Sequence, residues 1–361
     1  MNYHIDTTLA IPAYMQLYKL IVQDIISEFY PYGSRLPSKR IIAEETGVSV
    51  VTVEHALALL IDEGYVESRQ RSGCFVIYHK SDFYGNPVLL NSTSTDIHSQ
   101  SNKVGDFPYS VFAKTMRKVL ANYGNRIFIK SPNSGCEELR TEICSYLARS
   151  RGIIVKPSQI LVGSGAEYLY GLIAQLFGNR IIFALEQPSY DKIRKVYEAM
   201  GIQCDLLSLT QDGISSTELE RTDASILHVT PFNSFPSGVT ASISKKYEYL
   251  RWAKQREGYI IEDNYDSELT VSKKVEDSLF SITNRANVVY VNTFSKTIAP
   301  SMRIGYMILP EKLLEEFQKR LGFYSCTVPL FEQYVLAELL RNGDFERHIN
   351  RIRRKKRKAE N

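Results

Sequence analysis

Thr293-Phe294-Ser295-Lys296-Thr297-Ile298-Ala299-Pro300-Ser301-Met302-Arg303 is the stretch whose reading decides the fold. It lies between two strand-like apolar runs, Val288-Val289-Tyr290-Val291 before it and Ile304 to Leu309 after it. One lysine therefore sits on a turn between two buried strands, among hydroxyls, with an arginine close behind. A lysine held there can be partly withdrawn from water, which makes its amine nucleophilic. Hydroxyls beside an arginine suit a phosphate. A lysine and a phosphate site together point to pyridoxal phosphate (PLP) held as a Schiff base. The other reading of this stretch alone is an ordinary surface turn.

Outward from that turn, helices alternate with short apolar strands. Expected helices are Glu137 to Ser150, a segment opening at Ser164-Gly165-Ala166 and ending at Phe177, Asp191 to Met200, and Lys245 to Arg256. Expected strands are Ile160-Leu161-Val162-Gly163, Ile181-Ile182-Phe183-Ala184, Ile226-Leu227-His228-Val229 and Tyr259-Ile260-Ile261-Glu262. Such alternation predicts an α/β fold with a mostly parallel sheet, in which ligands bind past the carboxyl ends of the strands. Candidate groups stand there. Ser164, Gly165 and Ala166 open a helix, where backbone N–H groups and the helix dipole favour an anion. Asp263 can keep a pyridine nitrogen protonated, and Tyr265 can bond a phenolic oxygen. Tyr190 can stack on a ring face. Each has a bland alternative as a cap, a surface acid or a core tyrosine. Their joint presence in this order favours a cofactor site.

The first eighty residues read differently. Ile11 to Phe29 has helical apolar spacing in Tyr14, Leu17, Tyr18, Ile21, Ile25, Ile26 and Phe29, and is stopped by Pro31 and Gly33. Ser38 caps a helix from Lys39 to Thr46, Gly47 closes it, and Ser49 caps a second helix from Val50 to Glu63. This is a helix-turn-helix. Tyr65-Val66-Glu67-Ser68 and Gly73-Cys74-Phe75-Val76 follow as two strands, with Arg69 to Ser72 as a basic tip. His55 is expected to pack or to face solvent.

Arg35-Leu36-Pro37-Ser38, Arg40, Ala43, Gly47-Val48-Ser49, Thr52-Val53, Ala56-Leu57, Leu60, Glu63-Gly64, Arg69, Gly73, Phe75 and Val76 carry the spacing of a GntR-type winged helix, and residues 11–78 resemble it. The resemblance implies double-stranded operator DNA as a partner. Arg35, Ser38 and Arg40 would hold phosphates, Ser49, Val50, Thr52 and Val53 would lie at the major groove, and Arg71 and Gly73 would form the wing. Val50 and Glu54 stand where the family often has basic residues. Residues 1–80 hold more Asp and Glu than Lys and Arg, so phosphate-driven affinity is expected to be modest. A winged helix used for protein contact is the alternative.

From Phe107 onward the motifs are Gly135…Leu139-Arg140, Ser164-Gly165-Ala166, Pro188-x-Tyr190, Thr230-Pro231…Phe235-Pro236-Ser237-Gly238, Glu262-Asp263-Asn264-Tyr265-Asp266-Ser267-Glu268 and Thr293 to Gly305. This set resembles the fold-type I aminotransferases, and more narrowly the MocR regulators, in which such a domain is fused to a GntR winged helix. The resemblance implies PLP bonded to Lys296, Asp263 on the pyridine nitrogen, Tyr265 on the phenolic oxygen and Tyr190 stacked. Ser164, Gly165, Ala166, Thr293, Ser295 and Arg303 would hold the phosphate. It also implies a head-to-tail homodimer. Phe232-Asn233-Ser234 stands where the family commonly has Ser-His-Gln, and Lys130 where a Tyr is contributed across the dimer.

Gly343 to Ile349 resembles the start of the helix leading into the family's C-terminal subdomain, and the sequence stops at Asn361. The expectation is a truncation relative to the family, either as a piece of a longer protein or through loss of part of an effector site. The basic run Arg351 and Arg353 to Lys358 is expected to be a solvated face, with a nucleic-acid contact as the alternative.

The 361 residues allow a winged helix at 1–79, a linker at 80–105 with polar runs such as Asn91-Ser92-Thr93-Ser94-Thr95, and an aminotransferase-like domain at 106–361. No apolar run is long enough to span a bilayer, and no signal peptide is read at Met1 to Ala10. Five scattered cysteines without metal-ligand spacing suit a reducing cytoplasm. A net charge of +4 is too small to name a partner. The expected function is a PLP-dependent transcription regulator sensing PLP or an amino compound through Lys296. The alternatives are an aminotransferase carrying a DNA-binding module, and a DNA-binding protein whose larger domain serves dimerisation.

Overall fold

Apolar residues four apart, Leu17, Ile21 and Ile25, make one buried face of helix α1, Ala13–Ile26. The computed structural model describes residues 3–6, 11–70, 72–79, 107–270, 277–282 and 287–360; the expected linker at 80–105 and Arg71 lie outside them. Helix α1 ends earlier than its apolar spacing suggests. Ser27 closes it and Glu28 turns the chain with a φ of 64°, leaving Phe29 exposed. Helix α2 is Lys39–Thr46, and α3 is Val50–Asp62. Ser38 accepts from the Ile41 N–H and Ser49 from the Thr52 N–H, so both predicted caps satisfy helix ends that otherwise lack partners. Gly47 makes the tight turn between them at φ 70°. Strands β1, Val66–Arg69, and β2, Gly73–Val76, pair antiparallel as the wing. Leu17, Ile42, Val53, Ala56, Leu60, Val66 and Val76 close one small core.

The chain divides into two units, Met1–His98 and Ser99–Asn361. The second opens with helices α4, Tyr109–Tyr123, and α5, Glu137–Arg151. It continues through β3, Ile160–Gly163; α6, Ala166–Phe177; β4, Ile182–Gln187; and α7, Asp191–Ala199. Next come β5, Gln203–Thr210; β6, Gly213–Ile214; α8, Ser216–Arg221; β7, Ile226–Val229; and α9, Ile243–Gln255. The last part holds β8, Tyr259–Asp263; α10, Leu279–Ile282; β9, Val288–Thr293; and β10, Gly305–Ile308. Helices α11, Glu311–Leu321; α12, Leu330–Arg341; and α13, Asp344–Glu360, complete it.

One eight-stranded sheet has the order β3-β10-β9-β8-β7-β4-β5-β6. Strands β5, β4, β7, β8 and β9 pair in parallel, β10 runs antiparallel between β9 and β3, and β6 is antiparallel to β5. Strands β7, β8 and β9 are buried on both faces, which is why they read as mainly apolar runs. Separate apolar cores fill the two sides of the sheet. Register places the site. Gly305 stands opposite both Thr293 and Gly163, so the ends of β9 and β3 meet beside the start of α6. Asp263 pairs with Val291 one strand further in.

Substituting Ser49 by Ala removes the α3 cap and is expected to cost about 1 kcal/mol of winged-helix stability. The single tryptophan, Trp252, lies in α9 of the larger unit. The loss should therefore appear in a denaturation curve read by circular dichroism and be absent from the Trp252 fluorescence transition.

Candidate functional site

Lys296, Asp263, Tyr265 and Tyr190 line one cavity of about 340 Å³, and Ala166, Thr293, Ser295 and Arg303 line it too. The elements explain the meeting: Asp263 ends β8, Thr293 ends β9, Tyr190 precedes α7 and Ala166 begins α6.

Asp263 is 2% exposed. Its Oδ2 accepts from the Tyr170 hydroxyl and its Oδ1 from the Tyr265 N–H at 3.3 Å. Burial, with Asp263 next, pushes the Tyr170 phenol well above its ordinary range, so it remains a donor. On β7, His228 Nε2 lies 3.8 Å from Asp263 Oδ2, and His228 Nδ1 lies 2.8 Å from the Tyr197 hydroxyl. Tyr265 donates to Asn233 O at 3.1 Å. Its phenol is pushed up to about 12 by burial and then by Asp266, Asp263 and Glu186.

Lys296 differs from expectation. Its side chain is 43% exposed, and its Nζ lies 2.9 Å from Oδ1 of buried Asp266 and 4.6 Å from the Tyr265 ring centre. It is a paired, half-exposed lysine and not a desolvated one, because the turn leaves it at the cavity mouth while Asp266 supplies a carboxylate.

At the other end, α6 begins at Ala166 without a side-chain cap. Arg303 reaches its first turn and pairs with Glu167, which also pairs with Lys192 at 3.0 Å. Burial raises the Glu167 carboxyl, and Arg303 and Lys192 outweigh it, for a net lowering. Gly165 allows this approach: at φ 90°, an added Cβ would stand 3.0 Å from the Arg303 guanidinium. Thr293 Oγ1 donates to Ser295 Oγ at 3.1 Å. Ser164 and Gly165 do not line the cavity. The Ser164 N–H donates to Thr327 Oγ1 at 3.1 Å and the Gly165 N–H to Gly163 O at 2.8 Å, so of the three expected residues only Ala166 lines the cavity.

Sequence reading missed Asp266, Glu167 and Tyr170. Asp266 stands inside a quoted motif and Glu167 next to one, but no spacing marks which acid pairs with which cation. Glu186 was not singled out in the sequence. It is buried, accepts from Ser234 Oγ at 2.6 Å and from the Thr230 N–H at 3.2 Å, and is pushed up to about 8, chiefly by burial.

In the winged unit, Arg35, Ser38, Arg40, Ser49 and Gly73 are exposed, and Val50 is 40% exposed. Thr52 is half-buried and bonds Ser49 Oγ at 2.8 Å. Val53 is 0% exposed and belongs to the core, not the groove, because it shares the helical face of Ala56, Leu57 and Leu60. Arg35 lies against Gly73 at the wing. Lys39 pairs with Glu54 on α3, and Arg69 pairs with Glu67 at 2.5 Å. His55 meets Tyr14 edge to face. The basic run of α13 is not wholly solvated: Arg353 donates to Glu268 O at 2.6 Å and Lys356 to Leu269 O at 3.1 Å.

Comparison with known proteins agrees with this geometry. Residues 13–76 match the gntR family of bacterial regulatory proteins, and residues 101–360 match aminotransferase class I and II. The chain is 34% identical to the uncharacterized HTH-type transcriptional regulator YdeL of Bacillus subtilis (strain 168), over 98% of this chain and 79% of the relative. It is 26% identical to the probable rhizopine catabolism regulatory protein MocR of Rhizobium meliloti, over 97% of this chain and 76% of the relative. It is 25% identical to the HTH-type pyridoxine biosynthesis transcriptional regulator PdxR of Corynebacterium glutamicum, over 98% and 78%. Among solved structures, a Pyrococcus horikoshii kynurenine aminotransferase superposes with a TM-score of 0.62 at 24% identity, over 69% of this chain and 64% of that one. An archaeal alanine:glyoxylate aminotransferase gives 0.61 at 23%, over 67% and 62%. The chain thus spans less than two thirds of these two structures, and they show the fold. No helix of the described residues is long and apolar enough to cross a membrane.

A carboxyl raised from 4.5 to about 8 favours the folded state in full below pH 4.5, and that contribution is lost as the pH rises toward 8. Glu186→Gln cannot ionise. Its melting temperature is expected to fall less than that of the parent chain between pH 5 and 8 (about the window set by the two values), as scanning calorimetry at stepped pH would show.

Proposed function

The chain belongs to the MocR-type regulators, which join a GntR winged helix to an aminotransferase class I and II domain, and from this we propose that it is a PLP-dependent, DNA-binding transcription regulator. The winged unit holds a double-stranded operator. The larger unit senses PLP or a small amino compound through Lys296. The observation that carries the reading is the convergence of Lys296, Asp263, Tyr265 and Arg303 on one cavity.

The residues present fit PLP. The cavity has a buried carboxylate at its floor and, at its other end, an uncapped helix start with an arginine, whose approach depends on Gly165 lacking a Cβ. Bound there, PLP supplies an aldehyde that an amine can bond and a ring that withdraws electrons. Lys296 is the attachment point. Asp263, fixed by Tyr170 and the Tyr265 N–H, holds a proton at the ring nitrogen. Tyr265 holds the phenolic oxygen, and Tyr190 covers a ring face. Ala166, Thr293, Ser295 and Arg303 hold the phosphate, with Arg303 turning from Glu167 to a stronger anion. Regulation follows only if the ligand binds one arrangement of the protein better than another. The working form is a cytoplasmic homodimer.

PLP added to the purified chain is expected to give a visible absorption band that Lys296→Ala abolishes. Absence of a band in both proteins would sink the sensing role and leave a DNA-binding dimeriser. On the DNA side, Arg40→Ala should weaken binding to all sequences alike and lower the salt slope by about 1. Titration of a fluorescent duplex at several salt concentrations measures both.

A further inference from the structure

Asp266 is 3% exposed, and among the described residues the one cation within ion-pair distance of it is Lys296, at 2.9 Å. Asn233 Nδ2 donates to its other carboxylate oxygen, Oδ2. A buried carboxylate with a single cationic partner loses much when that partner leaves. The loop that carries it is fixed: Leu269 N–H donates to Asp266 O at 3.0 Å, and Ser267 N–H to Asn264 O at 3.2 Å. The acid therefore does not follow the lysine into the cavity.

We propose that Asp266 is the seat of the unattached Lys296 amine, and that it sets how readily this lysine takes up and releases a carbonyl ligand. The inference rests on Lys296 being the attachment point. Condensation of an amine with a carbonyl forms a carbon–nitrogen bond and expels the carbonyl oxygen as water, both hydrogens coming from the nitrogen. The ammonium paired with Asp266 must first give one further proton to solvent. Loss of that proton removes the charge that faces the buried carboxylate at 2.9 Å. Asp266 thus opposes attachment and receives the lysine when an amino compound displaces it. Asn233 bonds only the second oxygen, Oδ2, and not Oδ1, which faces the lysine.

The variant is Asp266→Asn, whose amide oxygen can still accept from Asn233. Its comparison is Asn233→Gly, since position 233 has a φ of 50° that glycine adopts freely. Two readouts are taken on the full chain. One is PLP affinity and the rate at which the visible band forms. The other, which needs no cofactor, is the rate at which a small activated ester acylates Lys296, followed by peptide mass spectrometry at neutral pH. Asp266→Asn is expected to bind PLP more tightly and to be acylated faster, each by roughly three- to tenfold for a half-exposed charged pair. Asn233→Gly should stay near the parent value. A purely structural Asp266 would make attachment weaker in both variants, and that overturns the proposal. So does equal acylation of the parent and Asp266→Asn. If the parent shows no band, the sensing role fails, and the acylation rates still decide what Asp266 does.

Discussion

Pairing of β10 with both β9 and β3 is the constraint on which the site depends. Because Gly305 faces Thr293 on one side and Gly163 on the other, the chain after β9 must leave the sheet and return within one loop. The loop is closed by its own backbone: Phe294 N–H donates to Ile304 O at 2.8 Å, and Ser295 Oγ to Met302 O at 3.1 Å. Lys296 and Arg303 are thereby carried on a single rigid turn. The same register brings the start of α6 beside them, so a helix N-terminus and an amine share one cavity, and the Arg303–Glu167 ion pair joins the turn to that helix.

The cavity is polarised by how its charges are partnered. Asp263, Asp266 and Glu186 lie beneath or beside it, each buried and each with its own donors. Arg303 and Lys192 stand at the α6 end around Glu167. Buried carboxyls that must stay apart in charge have different partners: Tyr170 and a backbone N–H for Asp263, the Lys296 ammonium and the Asn233 amide for Asp266, Ser234 and a backbone N–H for Glu186. This arrangement suits a ligand with an anionic group at one end and a protonated nitrogen at the other.

What was legible in the sequence was what depends on local pattern. The caps Ser38 and Ser49, the wing, the buried strands Ile160–Gly163 and Ile226–Val229 and the lysine turn all follow from spacing that neighbours enforce. Strand β5 was not legible. Gln203–Thr210 mixes polar and apolar residues because only Leu207 is buried, and with β6 it forms the edge of the sheet. Val53 was misplaced because a helix start at a groove also has an inward face, and the motif does not say which positions turn inward. The pairs that set the charge of the site, Lys296 with Asp266 and Arg303 with Glu167, join segments far apart in the chain. Sequence supplies both members of each pair and no sign of the pairing.

The basic helix α13 has a part in the same geometry. His348 Nε2 donates to Thr297 O at 2.9 Å, beside the lysine. Arg353 and Lys356 donate to Glu268 O and Leu269 O, on the loop that carries Asp266. One helix thus grips the two segments that the Lys296–Asp266 ion pair joins. If attachment at Lys296 draws the lysine from Asp266, α13 stays bonded to both segments and feels any shift between them. A displacement of this kind becomes a signal only when ligand and helix prefer the same one of two discrete arrangements.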